Sequence, residues 1–284
     1  MGTGTIHPIS SLLFTGADGE LTTRSGGEDQ VMNDLSERSQ REKTHFEEGL
    51  KRERYNAILS YTHYYDDEYQ RQVRTDALKY AHGKAALEIG ASDWVTWLDE
   101  ESIFPSSLDC INISEKELEV GIKLSQRSKL KPKFHIMDAH NLGFTNEQFD
   151  VVFGHGVLHH LDLPTALNEV CRVLKPQGLI VFREPLNINP VSKIVRALTP
   201  KARTPDEQPF RRKDFQEFEK RFVVKYSFGQ FLSVPFGVLS RLLFERPDNV
   251  LTHAAFKVDQ ALLRLMPSCG ILYRAVMVIG RKVP

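Results

Sequence analysis

Ala85-Ala86-Leu87-Glu88-Ile89-Gly90-Ala91-Ser92 is the stretch on which the reading of this chain turns. A short apolar run that ends in glycine reads as a buried strand. The glycine then lets the backbone pass close beneath a ligand. A strand–glycine turn occurs in many folds, so its meaning depends on the residues downstream. Further runs of the same kind occur at Leu108 to Ile113, Lys133 to Met137, Phe149 to Gly154 and Gly178 to Glu184. Helical sequence separates them, and strands alternating with helices are the signature of a parallel, doubly wound α/β sheet. Ser114 stands where it can cap the Glu- and Lys-rich helix after the second run. Lys175-Pro176-Gln177-Gly178 supplies the turn that introduces the fifth.

Outward from this core the chain changes character. Residues 1–35 are rich in Gly, Thr, Ser and Asp and are expected to be a flexible tail. Residues 36–80 read as a helical cap, with Phe46 and Leu50 on one helical face and Val73, Ala77 and Leu78 near helical spacing. Residues 81–284 form the main domain. Phe222 to Tyr226 and Leu272 to Ile279 add two strands, and the helical segments 236–246 and 250–266 between them make 226–266 an insertion on the substrate side. A mostly parallel sheet of seven strands is expected.

Bulk properties narrow the partners. Lys plus Arg and Asp plus Glu both number 37. A duplex-binding protein gathers a basic excess to neutralise phosphates, so no nucleic-acid partner is expected. The uncharged stretch Tyr226 to Ser240 contains Pro235 and lacks the length of a membrane span. Cys110, Cys171 and Cys269 form no CxxC pair. The first residues have no charged n-region with a long apolar stretch behind it, so a reducing cytoplasm is the expected setting.

Ligands of open α/β sheets sit at the carboxyl ends of the strands, where strand order reverses. In this chain those ends read Glu88-Ile89-Gly90-Ala91-Ser92, Asn112-Ile113-Ser114, Asp138-Ala139, Gly154-His155-Gly156-Val157-Leu158-His159-His160-Leu161 and Glu184-Pro185. In this order and spacing, over roughly residues 84 to 184, the sequence resembles the class I S-adenosylmethionine (SAM) dependent methyltransferases, in particular the ubiquinone/menaquinone-type and natural-product group. The resemblance implies the Rossmann-like fold of that class, SAM as cofactor and S-adenosylhomocysteine as its product.

It also implies roles by position. Glu88, Gly90, Ala91 and Ser92 belong to the glycine-rich turn under the methionine part of SAM. Asn112 and Ile113 stand at the ribose, Asp138 and Ala139 at the adenine, and Gly154 and His155 beside the methionine portion and the transferable methyl. Two departures stand out: Ser92 and Trp94 replace the second and third glycines of the family's turn, and Asn112 replaces its usual acid. An ionised acceptor bonds more strongly than a neutral one, so Asn112→Asp is expected to tighten SAM.

The remaining candidates concern the acceptor. His155, His159 and His160 are the general-base candidates, because imidazole titrates near neutral pH. His155 is the expected catalytic residue and His159 is expected at the substrate, although the Leu-His-His segment also has a structural reading. Tyr64, Tyr65 and Asp66 in the cap combine aromatic faces with a carboxylate and suit a cationic amine. His135 and His140 flank Asp138, but with no further spaced ligands no metal is expected. The expected activity is therefore methyl transfer to N or O of a small metabolite in specialised biosynthesis, with an amine favoured. C-methylation of an isoprenoid or quinone, an RNA or protein substrate, and a non-catalytic SAM-fold partner are the alternatives.

Overall fold

The computed structural model describes residues 37–48, 56, 60–92, 97–200, 204 and 206–283. The expected tail, 1–35, and Trp94 lie outside them. Two helices come first, α1 (Glu37–Glu48) and α2 (Tyr64–Leu78). Then come β1 (Ala85–Ile89), α3 (Trp97–Glu100), β2 (Ser107–Asn112), α4 (Glu115–Ser125), β3 (Lys133–Ile136) and β4 (Phe149–His155). The second half holds α5 (Leu163–Val173), β5 (Leu174–Pro185), α6 (Pro190–Leu198), α7 (Arg212–Glu219), β6 (Phe222–Gly229), α8 (Ser233–Leu243), α9 (Val250–Leu265) and β7 (Ala275–Lys282). Among the described residues no helix is long and apolar enough to cross a membrane.

The strands form one seven-stranded sheet in the order β3-β2-β1-β4-β5-β7-β6. All neighbours are parallel except β7, which runs antiparallel between β5 and β6. Both faces are buried, as a parallel sheet requires. On β4, Val151 and Phe153 enter one apolar cluster and Phe149 and Val152 the other. Leu78 of α2 packs on the first face, while Leu163, Leu167, Val170 and Val173 of α5 pack on the second. The seven-stranded, mostly parallel sheet expected from the sequence is present. β5 begins earlier than its apolar run, because Leu174 already pairs with Phe149 across a register shift.

Local signals explain the helix starts. Ser114 accepts the Glu117 amide at the head of α4, and Asp162 accepts that of Thr165 at the head of α5. Asn189 does the same for Ser192 ahead of Pro190, an Asn-Pro start signal for α6.

Two glycines hold the centre of the sheet's carboxyl edge. Gly90 turns out of β1 at φ +78° and donates its N–H to the Ile111 carbonyl at 2.9 Å. Gly154 lies beside Ile89 in register, where an added Cβ would sit 2.6 Å from the Ile89 oxygen and 3.0 Å from Phe182. Gly154→Ala is therefore expected to destabilise the fold by about 1–3 kcal/mol, the usual cost of overpacking a tight interior. Thermal unfolding of the variant checks this, and an unchanged midpoint would contradict the close approach.

Candidate functional site

β1 hydrogen-bonds to β2 on one side and to β4 on the other, so the loops leaving β1 and β4 part at their shared carboxyl edge. A cleft opens there, where an open α/β sheet binds its ligands. Ile89, Gly90 and Ser92 line it from β1 and its turn, with Asn112, Ile113 and Glu117 from β2 and α4. Met137, Asp138 and Ala139 come from the end of β3, and His155, Gly156, Val157, His160 and Leu161 from the end of β4. Ser39, Glu42 and Phe46 of α1 complete the lining.

Of the expected cofactor residues, Gly90, Ser92, Asn112, Ile113, Asp138, Ala139 and His155 are thus brought together. Glu88, Ala91 and Gly154 are not at the surface of the cleft. Glu88 is buried against the Cys110 thiol, 3.6 Å away, and burial pushes that thiol well up from its ordinary range. Ala91 is buried with its N–H on the Ile111 carbonyl. Gly154 supports the Ile89 turn from below.

Asn112 has commitments that the sequence did not reveal. Its amide nitrogen donates to the Ala91 carbonyl at 2.9 Å, and its oxygen accepts from the Ser114 amide at 3.0 Å. It ties the β1 turn to the head of α4, and a carboxylate there has no proton to give Ala91. The anionic neighbour is instead Glu117, one turn into α4, which accepts from Ser92. The sequence shows Ser114 as a helix cap, but nothing in it marks Glu117 as part of a site.

Asp138 is held from two sides. One carboxylate oxygen accepts the His140 amide at 2.9 Å and lies 2.7 Å from its ring, while the other accepts the Ser39 hydroxyl at 2.7 Å. Burial pushes this carboxyl up, but the His140 and Ser39 bonds outweigh it and hold the group below the usual carboxylate range.

Helix α1 lies across the cleft and is fixed at both ends. Arg38 donates to the carbonyls of His160 and Asp206, and Arg41 pairs with the Asp206 carboxylate at 2.7 Å. Glu42 meets His160 at 3.0 Å, and the Phe46 ring stands edge-on to the same imidazole. Glu47 accepts from the Ser114 hydroxyl and the Glu115 amide, placing a carboxylate at the positive end of α4.

The other half of the expected cap lies elsewhere. Asp66 of α2 is buried, with the Arg183 guanidinium at 3.3 Å and the Gln230 amide at 3.0 Å. It anchors the helix over Gly229, where any Cβ would collide with the carboxylate. Tyr65 donates to Asp248 and stacks on Phe256 of α9, and Tyr64 packs edge-on against Tyr65. None of these residues lines the cleft.

His159 is likewise below the surface. Its Nδ1 lies 2.7 Å from Glu184, whose carboxylate also accepts the amides of Val157, Leu158 and His159. Burial pushes Glu184 up to about 8, against those three backbone donors. His155, by contrast, lines the cleft with its ring against Trp97 at 5.3 Å.

Comparison with known proteins agrees with this geometry. A methyltransferase-domain family profile matches residues 87–182. Demethylmenaquinone methyltransferase from Staphylococcus haemolyticus is 33% identical over 142 residues, covering 47% of this chain and 56% of that protein. The enzyme of the same name from a Geobacillus species is 31% identical over 137 residues, covering 46% and 57%. The chain thus spans about half the length of these curated relatives. Geranyl diphosphate C-methyltransferase from Streptomyces coelicolor, solved with Mg2+, geranyl diphosphate and S-adenosylhomocysteine, superposes with a TM-score of 0.55 at 12% identity, over 76% of this chain and 79% of that one. The [4+2]-cyclase SpnF superposes at 0.51 and 14% identity, over 76% and 81%, so proteins of different chemistry share the fold. The sheet order and the strand-end cleft thus agree with the match of residues 87–182 to the methyltransferase-domain family.

Proposed function

We propose that this chain binds SAM in the cleft between the β1 and β4 loops and transfers its methyl group to a small molecule. The observation that carries this reading is the convergence of Gly90, Glu117, Asp138 and His155 on one cleft at the carboxyl edge of the sheet. The residues present fit the cofactor. Glu117 offers a carboxylate to ribose hydroxyls, and Asp138 offers one to the adenine amino group. Ile113, Ala139 and Leu161 supply apolar walls for a flat base, and the Gly90 and Gly156 turns let the backbone approach the amino-acid end. When bound, SAM supplies an electrophilic methyl on a sulfonium. The protein's share is then alignment and exclusion of water, for which α1 is already placed over the cleft.

The acceptor reading moves from the amine first favoured by the sequence. That preference rested on Tyr64, Tyr65 and Asp66, which pack against α9 and the sheet and not at the cleft. A carbon acceptor on an apolar ring or chain is now the better supported class. The name of one relative gives it demethylmenaquinone as substrate, and the name of geranyl diphosphate C-methyltransferase gives that protein a carbon acceptor. An oxygen acceptor is the second reading, in which His155, which lines the cleft, would take the hydroxyl proton.

Three outcomes test these assignments. Asp138→Ala removes the partner proposed for the adenine amino group and should weaken S-adenosylhomocysteine binding by about 1–3 kcal/mol, roughly 5- to 150-fold. Unchanged affinity in calorimetry would sink the assignment. Asn112→Asp should weaken the same binding and lower the unfolding temperature, because it sets a carboxylate against the Ala91 carbonyl; tighter binding would instead restore the ribose role expected from the sequence. Supplied with methyl-labelled SAM, the chain should label the ring of a prenylated hydroquinone and leave a simple aromatic amine unlabelled. The opposite pattern would return the amine.

A further inference from the structure

Behind the cleft lies a cluster of ionisable side chains to which the proposed SAM site gives no task. A ring nitrogen of His159, one of His160 and a carboxylate oxygen of Glu207 lie within 4.8 Å of one another. Both imidazoles are buried, and the Glu207 side chain is 9% exposed. These are long-range neighbours in sequence: the histidines come directly after β4, and Glu207 belongs to the segment between α6 and α7.

The surroundings orient these groups as a ligand set. His159 Nδ1 faces the Glu184 carboxylate at 2.7 Å. His160 Nδ1 faces Glu42 at 3.0 Å and the Thr204 hydroxyl at 3.1 Å, and Thr204 in turn donates to Glu42 at 2.6 Å. Thr204, having given its own proton to Glu42, accepts from His160 Nδ1, and His159 Nδ1 faces Glu184, so each neutral imidazole carries its lone pair on Nε2. Carboxylate–histidine pairing of this kind fixes the tautomer and raises ligand basicity around bound metals. Glu207 rests on Arg196 at 3.0 Å. The carboxyl groups of Glu42, Glu184 and Glu207 thus gather around the two imidazoles, with Glu207 paired to Arg196.

We propose that His159, His160 and Glu207 bind a divalent transition-metal ion. Two imidazole nitrogens and one carboxylate oxygen suit Zn2+ or Fe2+ and not the all-oxygen shells of Mg2+ or Ca2+. Ligand atoms about 2.0–2.2 Å from a tetrahedral ion stand roughly 3.4 Å apart. Binding thus contracts the cluster by about 1 Å, with Glu207 turning from Arg196 towards the ion. Glu42 comes from α1, so the ion and the seating of that helix over the cleft support each other. His160 and Glu42 also line the cleft. An open coordination position on that side reaches an acceptor oxygen, such as the hydroxyl of a hydroquinone. This last role rests on the function proposed above; the metal site does not.

The test uses the full chain stripped with chelator, with Zn2+ followed by calorimetry and Co2+ by its visible absorption. One equivalent of Zn2+ and a ligand-field spectrum with Co2+ are expected. Glu207→Gln and His160→Gln should each weaken Zn2+ binding at least tenfold, and Glu42→Gln should weaken it by about 10–100-fold through the outer shell. His253→Gln, on the exposed side of α9, should bind as the parent does. Thermal unfolding identifies any variant that fails to fold, and Glu207→Gln, which keeps both imidazole pairs, then decides. No stoichiometric binding by the folded parent, or binding indifferent to Glu207→Gln, would overturn the site. S-adenosylhomocysteine affinity measured on the same samples separates the two proposals: its absence would remove the SAM reading and leave the metal result standing.

Discussion

The close approach of β1 and β4 at their carboxyl ends is the constraint on which the rest of the site depends. Ile89 and Gly154 stand side by side, and the lack of a side chain on Gly154 lets the Ile89 carbonyl, Phe182 and Val157 pack around it. Because the two strands are held so tightly, the loops that leave them have fixed origins and must diverge. One loop leads through Ser92 towards α3 on its side of the sheet, and the other leads through Gly156 and the histidine pair to α5 on the opposite face. The cleft is the space between them. It is a consequence of parallel strands whose connections run to opposite faces, and it exists whatever ligand fills it.

Helix α1 turns that open edge into an enclosed one, and it does so through polar contacts. Ser39 reaches Asp138 after β3, Glu42 reaches His160 after β4, and Glu47 reaches the head of α4 after β2. Three separate strand ends are thus tied to one helix. Contacts of this type are worth little where water competes and more where burial excludes it. α2, by contrast, is fastened by the buried Asp66–Arg183 pair and by Leu78 in the core, and it belongs to the permanent fabric of the domain.

Much of this could be read from the chain alone, for identifiable reasons. Strand positions were legible because doubly buried strands are short apolar runs, and the glycines at their ends mark turns that other residues tolerate poorly. Gly90, Asp138 and His155 could therefore be placed in one cleft from their positions at strand ends. What stayed hidden was set by contacts across long sequence separations. Asn112 looked like a weakened ribose ligand, because nothing local shows that its amide is spent on Ala91 and Ser114. Asp66 beside two tyrosines looked like an amine pocket, because its partners Arg183 and Gln230 lie more than a hundred residues away. The His159, His160 and Glu207 cluster is hidden for the same reason, since Glu207 lies far along the chain, while the more conspicuous His135 and His140 turn their rings to Asp109 and Asp138.

The central claim is that one ligand, SAM, occupies the strand-end cleft beneath α1. Hydrogen–deuterium exchange with and without S-adenosylhomocysteine tests it most directly, since it reports every backbone segment at once. The account predicts that slowed exchange will concentrate in residues 37–48 and in the turns at 90–92, 112–114 and 138–140. No protection on adding the ligand, or protection confined to α8 and α9, would contradict it.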